Sequence, residues 1–497
     1  VVTGGDLTDS GQVSVTGKAT VKAESVELDG IDDIGGGIAG GDKFNQLAVT
    51  TTDVGGSNAI KDVGGGIVFA KSSIKGDLEV ESTGGAITQN DSIVVSGVAT
   101  FTADNNPGGS PTHWYDVTLA NAKNNFGTVH VLSAKSVSLA DTNSIVLGNL
   151  TLDDTDGPAN LVVTARSSVT QNAGDAADVP GTTTIVAGRS SSIALAGTGN
   201  TFAGAVSLSA RDVTFTNSSD TVFDTVTAAG NLTVVSGEIT QKTGGGAMVV
   251  GRTAGFTTSG GDVTLDNAHN DFFVVGFSGT GAVTLTDANA VALGTSTIGG
   301  DLLVTAGKSI SQTGGLTVGD FHATFIAGPT SKDTIVLNNS NNAFNAAGDE
   351  AVSLTAGGNV ALANSVALNL GNASVGGALS VTTSDDAITQ ATGTALEIDG
   401  KTTLAAGTAN ITLGNADNDF IGEVAVTSAG SVILGDSNEL ILGKCSITAN
   451  LTVGAGGDLT QSDAVVAAGT VSLDATGFNI TLDDDGNDFG TLLLKGD

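Results

Sequence analysis

Residues 378–448 read ALSVTTSDDAITQATGTALEIDG (378–400), KTTLAAGTANITLGNADNDFIG (401–422) and EVAVTSAGSVILGDSNELILGKCSIT (423–448). Each third holds a short alternation of apolar residues with Thr or Ser, a reverse turn with Gly or Asp, a second alternation, a second turn and a third apolar piece. Alternation with period two predicts short β-strands. Three such strands in about 22 to 27 residues form one rung of a β-solenoid, and three rungs form the repeating unit.

The same unit recurs along the chain. One marker is a Gln that ends the second strand, at Gln89, Gln171, Gln241, Gln312, Gln390 and Gln461. A second marker is a Phe that closes the second rung, at Phe44, Phe126, Phe202, Phe272, Phe344, Phe420 and Phe489. The two markers stay in step, which predicts an all-β parallel β-helix of about seven repeats of 70–82 residues and about three rungs each. We expect residues 1–497 to form one continuous solenoid, a fragment of a longer repeat array.

Strand alternation also predicts which side chains face inward. Leu379 and Val381 are inward positions, whereas Ser380, Ala425 and Thr452 are outward ones. We expect each Gln to lie inward or at a corner, where its amide bonds the backbone of the turn that it closes. Equivalent Gln residues recur at every third rung, about 14 Å apart, so they form no continuous amide ladder. We expect each Phe to fill a corner of the lumen, with an exposed aromatic row as the alternative.

Composition limits the possible partners. The formal net charge of −34 argues against nucleic acid and anionic membranes, which need basic patches. Disorder is disfavoured because 40% of the residues are hydrophobic and the mean hydropathy is +0.21. No apolar run is long enough to predict insertion into a membrane. The single Cys445 excludes an internal disulfide framework and is interpreted as a small apolar side chain.

Some turns are rich in Asp and are candidates for Ca²⁺, which prefers six to eight oxygen ligands. The candidate ligands are Asp266, Asp271, Asp483, Asp484, Asp485 and Asp488. The alternative is that Asx-rich turns form for backbone reasons alone. The corresponding turns of the third and fifth repeats carry no carboxylate, which argues against a metal site in every repeat.

One insertion, residues 103–116, is a candidate recognition loop. It holds His113 and the chain's single Trp and Tyr, Trp114 and Tyr115. Exposed aromatic side chains could stack on a sugar, and long loops on rigid scaffolds often carry recognition residues. The alternative is a loop that folds its aromatic side chains back over the side of the solenoid.

No catalytic motif is present. The four His share no equivalent position in the repeats, and there is no G-x-S-x-G, H-E-x-x-H or P-loop. We therefore expect no enzymatic activity. A polysaccharide-degrading β-helix is the enzymatic alternative, and it would need carboxylates and basic residues gathered on one face. The spread of only 18 Lys and Arg over the chain disfavours it.

The repeat text GNLTV, ITLGNADNDF and SVILGDSNELILG resembles that of filamentous-haemagglutinin-like β-strand-repeat proteins of bacterial surfaces. The resemblance covers essentially the whole chain. It implies a secreted, right-handed parallel β-helix that serves as the shaft of a surface adhesin or as part of an extracellular fibre. The implied partners are other copies of the chain, by lateral or end-to-end assembly, or glycans and proteins on host or neighbouring cells.

Overall fold

The computed structural model describes residues 5–8, 14–28, 43–62, 65–279, 281–344 and 350–496. These residues divide into two compact units, 1–251 and 252–497, and each unit is described by itself. The fold is an all-β parallel solenoid of about 22 rungs, with no helix in the described residues. Accordingly, the described ranges hold no helix that could cross a membrane.

The strands β1 to β25 are, in chain order, Leu7–Thr8, Ser14–Ala23, Val26–Leu28, Lys43–Thr51, Ser57–Asp62, Ile67–Phe69, Ser72–Ile74, Asp77–Ser82, Ile87–Gln89, Ile93–Ala103, Val117–Leu119, Asn125–Ala134, Val137–Asp141, Ile145–Leu152, Leu161–Ala165, Val169–Gln171, Ala177–Val179, Thr183–Val186, Ser192–Leu195, Thr201–Phe202, Val206–Ala210, Asp212–Thr216, Thr221–Ala228, Leu232–Ser236 and Ile239–Gln241. The strands β26 to β53 are Met248–Thr258, Val263–Leu265, Asp271–Ser278, Val283–Asp287, Val291–Leu293, Ser296–Ile298, Leu302–Ala306, Ile310–Gln312, Leu316–Val318, Ala323–Ile326, Ile335–Leu337, Ala343–Phe344, Val352–Ala356, Val360–Asn364, Leu368–Val375, Leu379–Thr383, Ile388–Gln390, Leu396–Ile398, Thr402–Ala405, Ile411–Leu413, Asp419–Phe420, Val424–Ala429, Val432–Asp436, Leu440–Ile447, Leu451–Ala455, Leu459–Gln461, Val465–Asp474 and Asp488–Lys495.

Inward side chains form the core of each unit. In β41, Leu379 and Val381 are buried, whereas Ser380 is half-buried and Thr382 is exposed. Burying one such Leu or Val side chain contributes roughly 1.5 to 3 kcal/mol, and the pattern recurs on almost every rung. Alternation thus predicted the core correctly.

One outward prediction is wrong, because Ala425 is buried. Its neighbours Val424 and Val426 pair with Leu442 and Cys445, so two residues of β49 stand opposite Ala425 alone. This bulge brings Gly443 so close that a Cβ built on it would lie 3.2 Å from the Ala425 side chain. Local crowding at a bulge therefore overrides the alternation.

In each unit the strands stack in three columns, one for each side of the rung. One column of the first unit contains β9, β11, β13, β15, β18 and β21, joined by parallel pairings. A second column contains the start of β14, then β16, β19, β22 and β24. The third contains β8, the ends of β10, β12 and β14, and then β17 and β20.

Two repeats, one in each unit, contain three full rungs and one additional strand, which is one side of a fourth rung. The first strand of the third repeat, β15, stacks through β13 and β11 onto β9, which is the second strand of the preceding repeat. In the second unit, β41 stacks in the same way through β39 and β36 onto β33. These two repeats therefore each contain three rungs and one further side.

This offset corrects the predicted stacking of the marker residues. Gln89 and Gln171 lie in different columns of the first unit, as do Phe126 and Phe202. Gln312 and Gln390 likewise lie in different columns of the second unit. Equivalent residues of successive repeats thus move from one side of the rung to the next, instead of lying above one another.

Candidate functional site

The most regular polar site is a pair of amide side chains that joins two adjacent rungs. In the sixth repeat, Gln390 Nε2 donates to Asn418 Oδ1 at 2.6 Å, and Asn418 Nδ2 donates to Gln390 Oε1 at 3.0 Å. Asn418 Oδ1 also accepts the backbone N–H of Leu396 at 3.0 Å, and Nδ2 reaches the carbonyl of Leu413. The Gln amide donates to the Thr394 carbonyl of its own turn. The pair satisfies backbone groups at a corner where the strand ladder is interrupted.

The same reciprocal pair occurs in other repeats. The pairs are Gln89–Asn124, Gln171–Asn200, Gln312–Asn342 and Gln461–Asn487. In the fourth repeat, Gln241 and Asn270 occupy the equivalent places, and Asn270 donates to the carbonyl of Leu265. The Asn members from the second to the sixth repeat are fully buried. The sequence pattern predicted the backbone contact of Gln but not its side-chain partner.

The Phe that follows each Asn points into the lumen. Phe126, Phe202, Phe272, Phe344 and Phe420 are at most 2% exposed. Four of them contact another aromatic ring, as in Phe202 and Phe215 with ring centroids 5.0 Å apart. Phe489 is half-buried, and the side chain of Phe44 lies outside the described residues. The buried members supply core volume and are not available for stacking on a ligand.

A second polar side chain is buried on the rung after each of these buried Phe residues and accepts the backbone N–H of that Phe. The sequence alone did not reveal this position. We call it the third-rung polar position. It is Asp141, Asn217, Asp287, Asn364 and Asp436 in the second to sixth repeats, with contacts of 2.7 to 3.0 Å. All five side chains are at most 4% exposed. Their signal in the sequence was a recurring Asp or Asn at the end of an otherwise apolar strand.

The chemistry of this position differs between Asp and Asn. The second oxygen of Asp141 accepts the N–H of Asn143. Burial raises the pKa of the Asp141 carboxyl above its ordinary value, although the two backbone N–H bonds act to lower it. Burial raises the pKa values of Asp287 and Asp436 as well. Asn217 instead donates from Nδ2 to the carbonyls of Phe202 and Asp220. The Asn form is therefore neutral and bonds to more partners.

The acidic turns form no evident ligand set. Asp484 accepts the N–H of Gly486 within its own turn, as expected of an Asx turn. In the described residues, no group of three or more His, Cys, Asp or Glu side chains is placed to hold a metal ion. This includes Asp266 and Asp271, and also Asp483, Asp484, Asp485 and Asp488. Ca²⁺ binding by these turns stays a prediction.

The 103–116 loop folds back on itself and is hydrogen-bonded to the two rungs that follow it. Asp104 and Trp114 form an antiparallel bridge, and Tyr115 N–H donates to the carbonyl of Ala103. Asp156, two rungs on, accepts the backbone N–H of Trp114 at 3.0 Å and lies 3.4 Å from His113 Nδ1. The Trp114 N–H, followed by the His113 ring, lowers the pKa of the Asp156 carboxyl. Trp114 and Tyr115 are half-buried, and His113 is exposed.

Cys445 is a buried thiol in β49. It is 1% exposed, and burial raises its pKa to about 11. A thiol with so high a pKa is protonated at neutral pH and is a poor nucleophile.

Comparison with known proteins assigns the repeat to a family. Seven successive segments match the model of a family described as repeats of unknown function (DUF5649), at residues 1–38, 46–133, 134–209, 210–275, 280–349, 357–427 and 429–494. Since these segments cover most of the chain, the chain belongs to this family. No curated protein and no solved structure matches it.

Proposed function

We propose that this member of the DUF5649 repeats is a non-enzymatic structural solenoid that acts outside a bacterial cell. It serves as the shaft of a surface adhesin or as a building block of an extracellular fibre. The observation that carries the proposal is the Gln–Asn pair, which joins adjacent rungs in repeat after repeat. These recurring buried amides hydrogen-bond one rung to the next, which would stiffen a shaft or fibre.

The outer surface supports the same function. Outward strand positions are mostly Thr, Ser, Ala and Val, and the formal charge is −34. A high net charge keeps a long repeat protein soluble and spaces it from other acidic surfaces. The partners that we propose are other copies of the chain and glycans or proteins on neighbouring cells, with neither nucleic acid nor membrane insertion.

Immunogold electron microscopy of intact cells tests this function. An antibody raised against residues 1–497 should label filaments or positions beyond the cell envelope, without permeabilisation. A cytoplasmic marker serves as the control for cell integrity. Labelling that appears only after permeabilisation would contradict an extracellular shaft.

A second candidate function is glycan binding through the 103–116 loop. It is favoured by the fixed backbone of the loop and by Trp114 and Tyr115, which keep part of their surface exposed. Binding of the purified chain to a glycan array should then fall after Trp114→Ala. Phe321→Ala removes an aromatic ring that is 43% exposed at another place and is the matched control. Equal binding by both variants would remove this function.

A further inference from the structure

Three of the four Arg residues of the chain lie at one corner of the first unit. Arg166, Arg189 and Arg211 follow β15, β18 and β21, which are neighbours in one column. Successive rungs of such a column are about 4.8 Å apart. All three side chains are exposed. We call this feature the arginine corner, and it is a local exception in a chain with a net charge of −34.

The arginine corner has little internal neutralisation. Arg211 Nε lies 3.5 Å from Asp212, whereas Arg166 and Arg189 have no ion pair in the described structure. The strands that lead into these two residues also present Val162 and Val186, which are 38% and 37% exposed. The surface therefore combines unpaired positive charge with a partly apolar strand face, a composition common in protein interfaces.

The second unit carries a surface of the opposite character. Glu397 and Asp419 are paired residues on adjacent strands. Glu439 and Asp458 are likewise neighbours on adjacent strands, because the residues that follow them are paired. Three of these acids, Asp419, Glu439 and Asp458, line an open groove of about 580 Å³ that contains no Lys or Arg. We call this groove, together with Glu397 beside Asp419, the acidic groove.

The acidic groove also offers apolar contact. Ile421 and Phe478 line it and are 59% and 43% exposed. The carboxylates are repeated from rung to rung, so their spacing along the stack equals that of the Arg residues at the arginine corner. Guanidinium groups bind carboxylates through two parallel hydrogen bonds, which gives such a contact both energy and orientation.

We propose that the arginine corner of one molecule binds the acidic groove of a second copy of this chain. The opposite charges and the exposed apolar side chains on both surfaces select this partner. Nucleic acid is disfavoured because three Arg residues are set in a strongly acidic chain. The contact deepens the proposed function, on which it rests, by stating how one shaft or fibre element joins another. Because it uses two different surfaces, the contact is heterologous, and one molecule can bind a different partner at each surface.

Sedimentation equilibrium of purified residues 1–497 tests the contact. The wild-type chain should associate as its concentration rises, and association should weaken in 0.5 M NaCl because salt screens exposed charges. Arg166→Glu with Arg189→Glu should raise the apparent dissociation constant at least about tenfold, and Glu397→Lys with Glu439→Lys should do the same. The molecule that carries all four substitutions should associate again, because both signs are exchanged.

A matched control distinguishes the specific contact from a general change in charge. Arg252→Glu with Lys444→Glu alters two exposed residues and the net charge by the same amount as the Arg pair. It should leave the dissociation constant within about threefold of wild type. A wild-type chain that stays monomeric at every concentration, or an arginine-corner variant that associates like wild type, overturns the proposal. A monomeric chain that is still labelled outside intact cells overturns this contact and leaves the proposed function standing.

Discussion

The third-rung polar position carries Asp in the second, fourth and sixth repeats but Asn in the third and fifth. Asp141 and Asn217 both accept the N–H of a buried Phe and are both 2% exposed. The amide of Asn217 donates to two carbonyls and to the hydroxyl of Thr221. The contacts of the Asp141 carboxylate are two accepted N–H bonds. One backbone position is thus filled by a neutral donor and acceptor or by a buried acid.

The solenoid therefore uses a hydrogen-bond acceptor at this position in every one of these repeats, and a donor beside it adds further bonds where the residue is Asn. Asp supplies only the acceptor, and its burial disfavours the charged form, which is why burial raises the pKa of Asp141, Asp287 and Asp436. Charged neighbours add to this effect, namely Asp271 for Asp287, and Asp419 and Glu439 for Asp436. The Asp repeats should therefore be the less stable class at neutral pH.

The largest effect should come from the amide pair that both classes share. Asn418→Ala in an Asp repeat and Asn200→Ala in an Asn repeat should each lower the free energy of unfolding by about 3 kcal/mol, because buried donors and acceptors lose their partners. Urea unfolding monitored by circular dichroism measures this. A loss below about 1 kcal/mol for either variant would mean that the pair is not a common structural element.

Replacing Asn by Asp at the third-rung polar position should lower the free energy of unfolding by a smaller amount. Asn217→Asp should destabilise the chain by about 2 kcal/mol at pH 7, because a buried charge replaces an amide whose Nδ2 has three hydrogen-bond acceptors within reach. The loss should shrink at pH 4, where the buried acid becomes protonated. Ser190→Asp, at an exposed position, is the control for added charge. Equal destabilisation at both pH values would contradict the electrostatic explanation.

The reverse substitution should stabilise the chain. The variant with Asp141→Asn, Asp287→Asn and Asp436→Asn should gain about 1 kcal/mol per site at pH 7. A folded-state pKa above the unfolded value means that the native carboxyl binds more protons than the unfolded one. The contribution of this carboxyl to the free energy of unfolding is therefore fully present below its unfolded pKa and is lost as pH rises through the folded pKa. The advantage of the variant over wild type should therefore disappear as pH falls towards about 4. A constant advantage across pH 4 to 8 would show that charge is not the cause.

The smallest effect should be seen at Cys445, which reports on the opening of an Asp repeat. The buried, protonated thiol should react with a disulfide reagent only when the sixth repeat opens locally. Asp436→Asn should slow this reaction about twofold to fivefold, and Asp141→Asn, in the other unit, should leave the rate unchanged. Equal slowing by both variants would mean that opening is not local.

Much of the fold follows from the sequence because the alternation of apolar residues and the turn residues are local signals for each strand and turn. The additional side does not, because the chain bends inside what reads as one continuous strand, with only a Gly and one further residue at the bend. In β14, Leu147 pairs with one column and Leu150 with the next, and only Gly148 and Asn149 separate them. The same bend lies inside β40 and β49, at Gly371 and Gly443.

The polar site was predicted in part. Each Asn was visible beside its Phe, but it reads as a turn residue until the rungs are stacked. Gln390 and Asn418 are 28 residues apart, so no local pattern joins them. The buried acids were equally hidden, since Asp436 follows an ordinary alternation and precedes an Asn-containing turn. Only the register of adjacent rungs shows that its oxygen reaches the N–H of Phe420.

If side-chain amides hold one rung to the next, their removal should expose a backbone N–H that they bind, and hydrogen exchange at that N–H measures this. The N–H of Leu396 donates to Asn418 Oδ1, which Gln390 holds in place. Gln390→Ala and Asn418→Ala should each reduce the protection of this N–H at least about tenfold, and the double variant should be no worse than Asn418→Ala alone. Unchanged protection in either single variant, or fully additive losses in the double variant, would contradict this role of the side-chain amides.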